Sequence, residues 1–258
     1  MTQPMLKVEL QGDIAVLTMN RPGKRNAMCD QLLEEIDGFF SKPPEGAKVA
    51  VLTGTEGHYC SGLDLSEHVA RDAEGTMRHS RGWHAVMDRI QYGGLPVVSA
   101  LEGAVIGGGL ELATATHVRI AEPSAIFQLP EGRRGIYVGG GASVRVGRIL
   151  GADRMIEMML TGRKYNAEEG VALGLAHYAV GTGEALPRAM ELARKIADNA
   201  PLSNYIMIQA LSRIEDMDKP GGLFTESLCA ALTQTSPDAV EGLAAFLEKR
   251  VPSFGQGR

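Results

Sequence analysis

The sequence predicts an α/β protein that ends in a helical region, and three features of its pattern lead to this fold class. Strand-like and helix-like segments alternate through the first half of the 258-residue chain. Glycine runs at residues 107–109 and 139–141 mark sharp turns between them. After the second run only helical periodicity remains, so helices are expected to follow the α/β part. Pro201 breaks the pattern, and we therefore predict a core over residues 1–199 and a helical region over residues 200–258.

The individual elements follow from local periodicity and turn residues. Residues 6–10 and 14–19 alternate apolar and polar side chains around a glycine turn, which predicts a β-hairpin. Asn26 is a candidate cap for a helix that ends before Pro43. Further strands are predicted at 49–53, 96–101, 117–121 and 125–127, and further helices at 77–90, 110–116, 142–150, 153–160, 167–173, 183–199, 201–213, 221–233 and 237–249.

Composition excludes several broad classes of protein. Hydrophobic residues make up 44% of the chain and charged residues 22%, which is typical of a globular core. A net charge of -5 argues against nucleic acid as a partner, although a few cations and backbone N–H groups can still bind a phosphate. The cysteines, Cys29, Cys60 and Cys229, show no metal-ligand spacing and favour a reduced, cytoplasmic protein without disulfides or metal. Neither a signal peptide nor an apolar stretch of about 18 residues is evident, so no membrane partner is predicted.

The first candidate site is the glycine run that opens a short apolar helix containing Glu111. Glycines at a helix mouth expose backbone N–H groups such as that of Gly108, and these can stabilise a carbonyl oxygen that becomes negative. A tight packing turn explains the glycines equally well. Glu111 lies between Leu110 and Leu112, where a carboxylate needs a partner or a raised pKa. It is therefore a candidate for a functional or a structural buried acid.

The second candidate site is the loop at residues 58–65. Gly62 permits a turn that points the N–H of Leu63 outward, where it and the N–H of Gly108 would form a two-donor oxyanion hole. The alternative is an ordinary loop in which Asp64 caps a helix. Glu131, which follows Pro130, has no distinguishing feature of its own because most glutamates are solvated.

Five motifs, in order, resemble segments of the crotonase (enoyl-CoA hydratase/isomerase) superfamily. The resemblance extends from about residue 5 to residue 254. Its motifs are the N-R-P-x-x-x-N-A-M segment at 20–28, C-S-G-L-D-L at 60–65, E-G-A through G-G-G-L-E at 102–111, F-Q-L-P-E at 127–131, and L-T-G-R with the helix that follows at 160–175.

The resemblance implies a crotonase-like spiral of ββα units with C-terminal helices that mediate trimer contacts, and trimers that often pair into hexamers. It places the oxyanion hole at the N–H groups of Leu63 and Gly108, which would hold the thioester carbonyl of an acyl-CoA. No separate cofactor is implied, since coenzyme A is part of the substrate. Lys249 would reach the CoA of a neighbouring subunit. The further substrate- and CoA-binding positions implied are Lys24, Arg25, Asn26, Ala27, Ser61, Gly62, Asp64 and Leu65.

The acidic residues indicate the type of reaction. Hydratases of the family carry a glutamate after the triple glycine and another in the P-E segment, and this chain has both, Glu111 and Glu131, 20 residues apart. The resemblance therefore implies hydration of a 2-enoyl-CoA to a 3-hydroxyacyl-CoA, as in fatty acid metabolism. Glu111 would be the base for water and Glu131 the acid for the α-carbon. An isomerase or a thioester hydrolase is the alternative. A non-catalytic or RNA-binding protein is a remote one, which the acidic helix at residues 30–37 disfavours.

The sequence departs from the family pattern just after Glu131. Val138 stands where proline is common, and Tyr137 and the pair Arg133-Arg134 are unusual for a hydratase of simple chains. These residues are expected to reshape the acyl pocket or a subunit contact, with surface salt bridges as the alternative for the arginines. The segment at 129–145 resembles hydratases of unusual acyl groups, such as methylthioacryloyl-CoA.

The predicted helix at 77–90 carries two further candidate residues for the acyl pocket. Trp83 and Met87 either line the acyl pocket or pack in the core. The histidines, including His58, His68 and His79, are too scattered to predict a metal site and are assigned to caps, surface or partly buried positions.

Overall fold

The computed structural model describes residues 4–66 and 70–255, so His68 lies outside the described residues. The strands are β1 (Leu6–Gln11), β2 (Ile14–Met19), β3 (Val49–Gly54), β4 (Val97–Leu101), β5 (Ala104–Ile106), β6 (Val118–Ala121), β7 (Ile126–Gln128) and β8 (Tyr178–Ala179). The helices are α1 (Asp30–Ser41), α2 (Ala73–Tyr92), α3 (Gly108–Ala115), α4 (Ala142–Leu150), α5 (Ala152–Thr161), α6 (Ala167–Ala172), α7 (Ala185–Ala197), α8 (Pro201–Ile214), α9 (Lys219–Gln234) and α10 (Pro237–Glu248).

A six-stranded sheet forms the centre of the α/β part, in the order β1-β2-β3-β4-β6-β8. The predicted hairpin is confirmed: β1 and β2 pair antiparallel, with Gln11 opposite Ile14. All other neighbours in this sheet are parallel. A second, two-stranded parallel sheet pairs β5 with β7 and leads directly into α3. The predicted α/β class is therefore confirmed.

The six-stranded sheet is covered on both faces, which explains the apolar composition of its central strands. On one face, side chains such as Val51 and Val98 pack against the small residues of α7, among them Ala189 and Ala193. On the other face, alternate residues such as Leu17 and those of α1 to α3 form the larger core. Adjacent residues of a strand point to opposite faces, so two separate cores result.

Long helices agree closely with the sequence periodicity, whereas the shortest strands escape it. Helix α4 has the predicted bounds, and α2 begins four residues before the predicted start because Asp72 caps it by accepting from the N–H of Gly75 at 2.7 Å. Strands β5 and β8 were not predicted, since three and two residues carry too little alternation to be recognised.

Asn26 does not cap the first helix, so that prediction was wrong. The cap position is Cys29, without a side-chain hydrogen bond. Asn26 is fully buried with a left-handed φ of 55°, and its amide ties its own loop to the loop at residues 55–58. It accepts from the N–H of Arg21 at 3.0 Å and donates to the carbonyl oxygens of Thr55 and His58 at 3.1 and 2.6 Å. The buried hydrogen bonds of Asn26 stabilise the protein more than a helix cap would, since losing a cap costs only about 1 kcal/mol.

The C-terminal helices α8 to α10 carry many apolar side chains that face solvent in the single chain. Helix α8 begins at Pro201 and touches the α/β part where Ser212 Oγ lies 3.2 Å from the hydroxyl of Tyr92. None of the helices described here combines the length and hydropathy needed to cross a bilayer. The large exposed side chains of this region are Tyr205, Met207, Leu211, Met217, Leu223, Phe224, Leu228, Leu232, Val240, Leu243, Phe246, Leu247 and Val251.

Candidate active site

One cavity of about 160 Å³ brings together the predicted oxyanion donors and both predicted acids. Leu63, Gly108, Glu111 and Glu131 all line it, although they lie on three different segments of the chain. Its other lining residues are Ser61, Gly62, Leu65, Thr76, His79, Ser80, Trp83, Gly107, Arg134, Ile136, Tyr137, Val138, Gly139 and Gly140.

The loop at Gly62 and the start of α3 lie in direct contact. Gly62 has a φ of 93°, a conformation that favours glycine, and a Cβ at this position would lie 2.7 Å from the carbonyl oxygen of Ile106 and 3.1 Å from the nitrogen of Gly108. Gly107 also has a positive φ, 54°, as the cap residue of α3. Close approach of the two backbones therefore requires glycine at both positions.

The N–H groups of Leu63 and Gly108 are left without an intramolecular acceptor in the described part of the chain. Around Leu63, Met28 donates to the carbonyl of Gly62 and Asp64 donates to the carbonyl of Met28, each at 2.8 Å. Neither the Leu63 nor the Gly108 N–H takes part in such a bond, and Gly108 is the first residue of α3, where helical N–H groups have no partner. Two backbone donors at one cavity are what the predicted oxyanion hole requires.

Glu111 is buried and its carboxylate is held by backbone donors. It is 4% exposed, and its Oε1 accepts from the N–H groups of Gly140 and Ala142 at 2.8 and 3.0 Å. Burial raises the pKa of Glu111, while these N–H groups and the charge of Arg145 oppose the rise. A Cβ on Gly140 would lie 2.5 Å from Oε2, so this glycine also permits the close packing around the acid.

Glu131 is buried in a different electrostatic setting. It begins a 3₁₀ turn at Glu131–Arg134, is 7% exposed, and its Oε2 is buried without a hydrogen-bond partner in the described structure. Burial, helped by the negative charge of Glu111, raises the pKa of Glu131 to about 7, although the charge of Arg134 opposes this. Oε1 lies against Gly107, where a Cβ would be only 2.8 Å away. The second acid thus lies beside the residue that precedes the predicted donor Gly108.

Trp83 covers the oxyanion site, whereas Met87 belongs to the core. A Cβ on Gly108 would lie 2.8 Å from Cζ3 of Trp83, so the indole packs on the backbone that carries the donor. Met87 is fully buried and does not line the cavity. The indole Nε1 is buried without a partner in the described structure.

The predicted CoA-binding segments lie against each other at the edge of the cavity. The hydroxyl of Ser61 donates to the carbonyl of Lys24 and the N–H of Ser61 donates to that of Arg25, both at 3.0 Å. The side chain of Lys24 is half exposed and donates to Ser66 Oγ at 2.6 Å. Ser61, Gly62 and Leu65 line the cavity, while Lys24, Arg25, Asn26, Ala27 and Asp64 lie outside its lining and Ala27 is buried.

Asp64 holds these two segments together and is the cap residue of none of the described helices, which goes against the capping alternative. It pairs with Arg21 at 2.9 Å, with both side chains buried, and accepts from the Ser66 hydroxyl at 2.7 Å. Burial favours the neutral acid, but hydrogen bonds from Ser66 and Arg21 outweigh it and lower the pKa of Asp64 to about 2. Arg21 also donates to the carbonyl of Ala27. Sequence reasoning missed Arg21 as a partner, since its motif and that of Asp64 are 43 residues apart.

Some of the other residues singled out in the sequence line the cavity, and the rest lie elsewhere. Arg134 and Tyr137 line the cavity, whereas Arg133 donates to the carbonyl of Thr161 at 2.7 Å and lies outside it. Lys249 ends α10 in a left-handed conformation and is not part of the lining. His58 accepts from the N–H of Ala104 at 3.1 Å, which fits a structural role.

Comparison with known proteins places the chain in a family. Residues 9–257 match the enoyl-CoA hydratase/isomerase family, so the chain belongs to the crotonase superfamily. It is 32% identical to the 2,3-dehydroadipyl-CoA hydratase of Escherichia coli, with 96% of this chain and 98% of that protein covered. It is 30% identical to the short-chain-enoyl-CoA hydratase of Clostridium acetobutylicum, with 94% of each covered. A solved structure from Rhodopseudomonas palustris, provisionally named an enoyl-CoA hydratase, is 46% identical over 95% of both chains with a TM-score of 0.93.

Proposed function

We propose that the protein hydrates a 2-enoyl-CoA to a 3-hydroxyacyl-CoA, with Glu111 as the base and Glu131 as the acid. The observation that carries this proposal is the meeting of two buried carboxyl groups and two unpaired backbone N–H groups at one cavity. Family membership and the hydratase names of several relatives support it.

The division of roles follows from the hydrogen bonds of each acid. Two backbone N–H groups stabilise the charged form of Glu111, as a base for water requires. Glu131 lacks a partner on Oε2, and its pKa of about 7 keeps a large fraction protonated near neutral pH, as an acid requires. Both carboxyl groups are expected to contact the same water.

The reaction then balances without another reactant. Glu111 takes a proton from water while the water oxygen bonds to the β-carbon. The electrons of the double bond move toward the thioester oxygen. The N–H groups of Leu63 and Gly108 hold the resulting negative charge, and removing one such donor typically costs about 10²–10³ in rate. Glu131 delivers its proton to the α-carbon, and proton exchange with solvent restores both acids.

Loss of the conjugated absorbance of enoyl-CoA thioesters tests hydration directly. We expect turnover by the wild-type protein, with Glu111→Gln and Glu131→Gln each reducing kcat by about 10²–10⁴. Glu122→Gln is the matched control, since Glu122 is buried and bonded to the N–H of Ala185 outside the cavity. Wild-type turnover in either cavity variant would overturn the two-acid mechanism. Release of free CoA instead would indicate the thioester hydrolase alternative.

We further propose that coenzyme A is held at the Lys24–Asp64 side without a separate cofactor, and that Lys249 contacts the CoA of a neighbouring copy. Self-association as trimers or paired trimers would cover the apolar side chains of α8 to α10. Sedimentation equilibrium is expected to give three or six times the 27.5 kDa chain mass. A purely monomeric protein would contradict this. A cytoplasmic location stays a prediction. The three cysteines are free, as is usual in that compartment.

The acyl group remains the open part of the proposal. A methylthioacryloyl group, expected from the segment after Glu131, belongs in the same substrate panel as simple short enoyl chains.

A further inference from the structure

The wall that α2 contributes to the cavity is polar. Thr76, His79, Ser80 and Trp83 line it, spaced so that they share one face of the helix, and each carries a hydrogen-bonding group. Ser80 donates to the carbonyl of Gly139 at 2.6 Å, which fixes α2 against the loop opposite. A cavity built for a plain hydrocarbon chain would favour aliphatic side chains on such a face.

The opposite wall carries a cation. Arg134 is the only lysine or arginine among the described lining residues, and no hydrogen bond or ion pair engages its guanidinium in the described structure. Its neighbour Arg133 differs, since it donates to the carbonyl of Thr161 away from the cavity. The phenol of Tyr137 lies on the same wall as Arg134. The expected surface salt bridge is thus absent for Arg134 within the described residues.

Arg134 is exposed at the cavity, and the acidic groups of the described lining form no hydrogen bond or ion pair with it. The carboxyl groups that line the same cavity are Glu111, which accepts from two backbone N–H groups, and Glu131, whose pKa burial raises to about 7. His79 is engaged by Asp30 through Nε2 at 3.0 Å. An exposed guanidinium without a hydrogen-bond partner in the described structure can bind a carboxylate through two parallel hydrogen bonds.

The size of the cavity limits the acyl group. A cavity of about 160 Å³ is close to the ~150 Å³ that accommodates benzene in an engineered apolar core. It therefore favours a short acyl group over a long one.

We propose that the preferred substrate is a short enoyl-CoA whose acyl chain ends in a carboxylate, and that Arg134 is the residue that recognises this group. The inference rests on the proposed function for the identity of the reaction. The recognition itself concerns binding, so it can be tested without turnover.

Binding of two saturated acyl-CoAs of equal shape separates charge from size. Glutaryl-CoA ends in a carboxylate, and 5-methylhexanoyl-CoA carries two methyl groups in place of the two carboxylate oxygens. Isothermal titration calorimetry is expected to show that the wild-type protein binds glutaryl-CoA about tenfold more tightly, as a charged hydrogen-bonded pair provides. Arg134→Gln should abolish this preference, Arg134→Lys should retain part of it, and the control Arg133→Gln should retain all of it.

Each other result has a definite meaning. Equal affinities in the wild-type protein, or a preference that survives Arg134→Gln, would overturn the inference. An equal loss for both ligands in Arg134→Gln would also overturn it, because the arginine would then act on CoA or on Glu131 and not on the acyl end.

Turnover separates this inference from the proposed reaction. Glutaconyl-CoA, 5-methyl-2-hexenoyl-CoA and methylthioacryloyl-CoA are compared as substrates, and glutaconyl-CoA is expected to have the highest kcat/KM. A preference for methylthioacryloyl-CoA would overturn the inference and leave hydration intact. A retained binding preference with no hydration of any of the three would instead overturn the proposed reaction and leave the recognition by Arg134 intact.

Discussion

Replacing Glu131 by glutamine measures how strongly the cavity disfavours its charged form. Burial raises the pKa of this carboxyl from 4.5 to about 7, so the folded protein binds a proton that the unfolded chain releases between these two pH values. Stability is therefore lost as the pH rises through this window, and the loss is complete above about pH 7. Each pKa unit corresponds to about 1.4 kcal/mol, which limits the penalty for this rise from 4.5 to about 7 to at most ~3.5 kcal/mol.

Glu131→Gln removes the charge while keeping the shape of the side chain. We expect the free energy of unfolding to rise by about 2–3 kcal/mol relative to wild type near pH 8 and to change little below about pH 4, where the carboxyl is protonated in both states. Urea unfolding at both pH values gives the comparison. Glu168→Gln is the control, since Glu168 is exposed. A glutamine variant that is less stable than wild type near pH 8 would refute the argument that burial penalises this acid.

Three further substitutions test how the cavity is built. Gly62→Ala places a Cβ 2.7 Å from the carbonyl oxygen of Ile106 and should lower kcat by about 10²-fold or more while circular dichroism still shows a folded protein; unchanged kcat would contradict the predicted donor geometry. Arg21→Gln leaves buried Asp64 with its hydrogen bond from Ser66 and the charge of Lys24, and should cost about 2–3 kcal/mol in urea unfolding, whereas a loss below about 1 kcal/mol would show that the pair is unimportant. Asn26→Ala removes the buried hydrogen bonds between the loops and should lower the free energy of unfolding by about 2–4 kcal/mol; a neutral effect would mean that these loops hold without it.

Local pattern was sufficient to predict the long elements and one of the two acids. Helix α4 and the β1–β2 hairpin follow from periodicity because their alternation extends over several turns or strand residues. Glu111 was recognisable from its apolar neighbours in α3, and it is buried as expected. These features depend on adjacent residues, which the sequence shows directly.

Features that depend on contacts between distant segments could be recognised only from the fold or from the family pattern. Glu131 is an ordinary glutamate in sequence, since the short 3₁₀ turn that contains it has no periodicity, yet packing against Gly107 buries it. The ion pair between Arg21 and Asp64 and the position of Arg134 in the cavity are likewise products of chain topology. The misassigned role of Asn26 has the same origin, because its partners Thr55 and His58 lie on a loop 29 and 32 residues further along the chain.

Mass spectrometry of the product formed in ¹⁸O-labelled water tests the central claim most directly. A short trans-2-enoyl-CoA incubated with the wild-type protein is expected to gain the mass of one labelled water while remaining a CoA thioester, and Glu111→Gln should suppress this gain. A product of unchanged mass would indicate isomerisation, and a labelled free acid would indicate thioester hydrolysis. Either result would contradict the assignment of Glu111 and Glu131 as the base and acid of a hydratase.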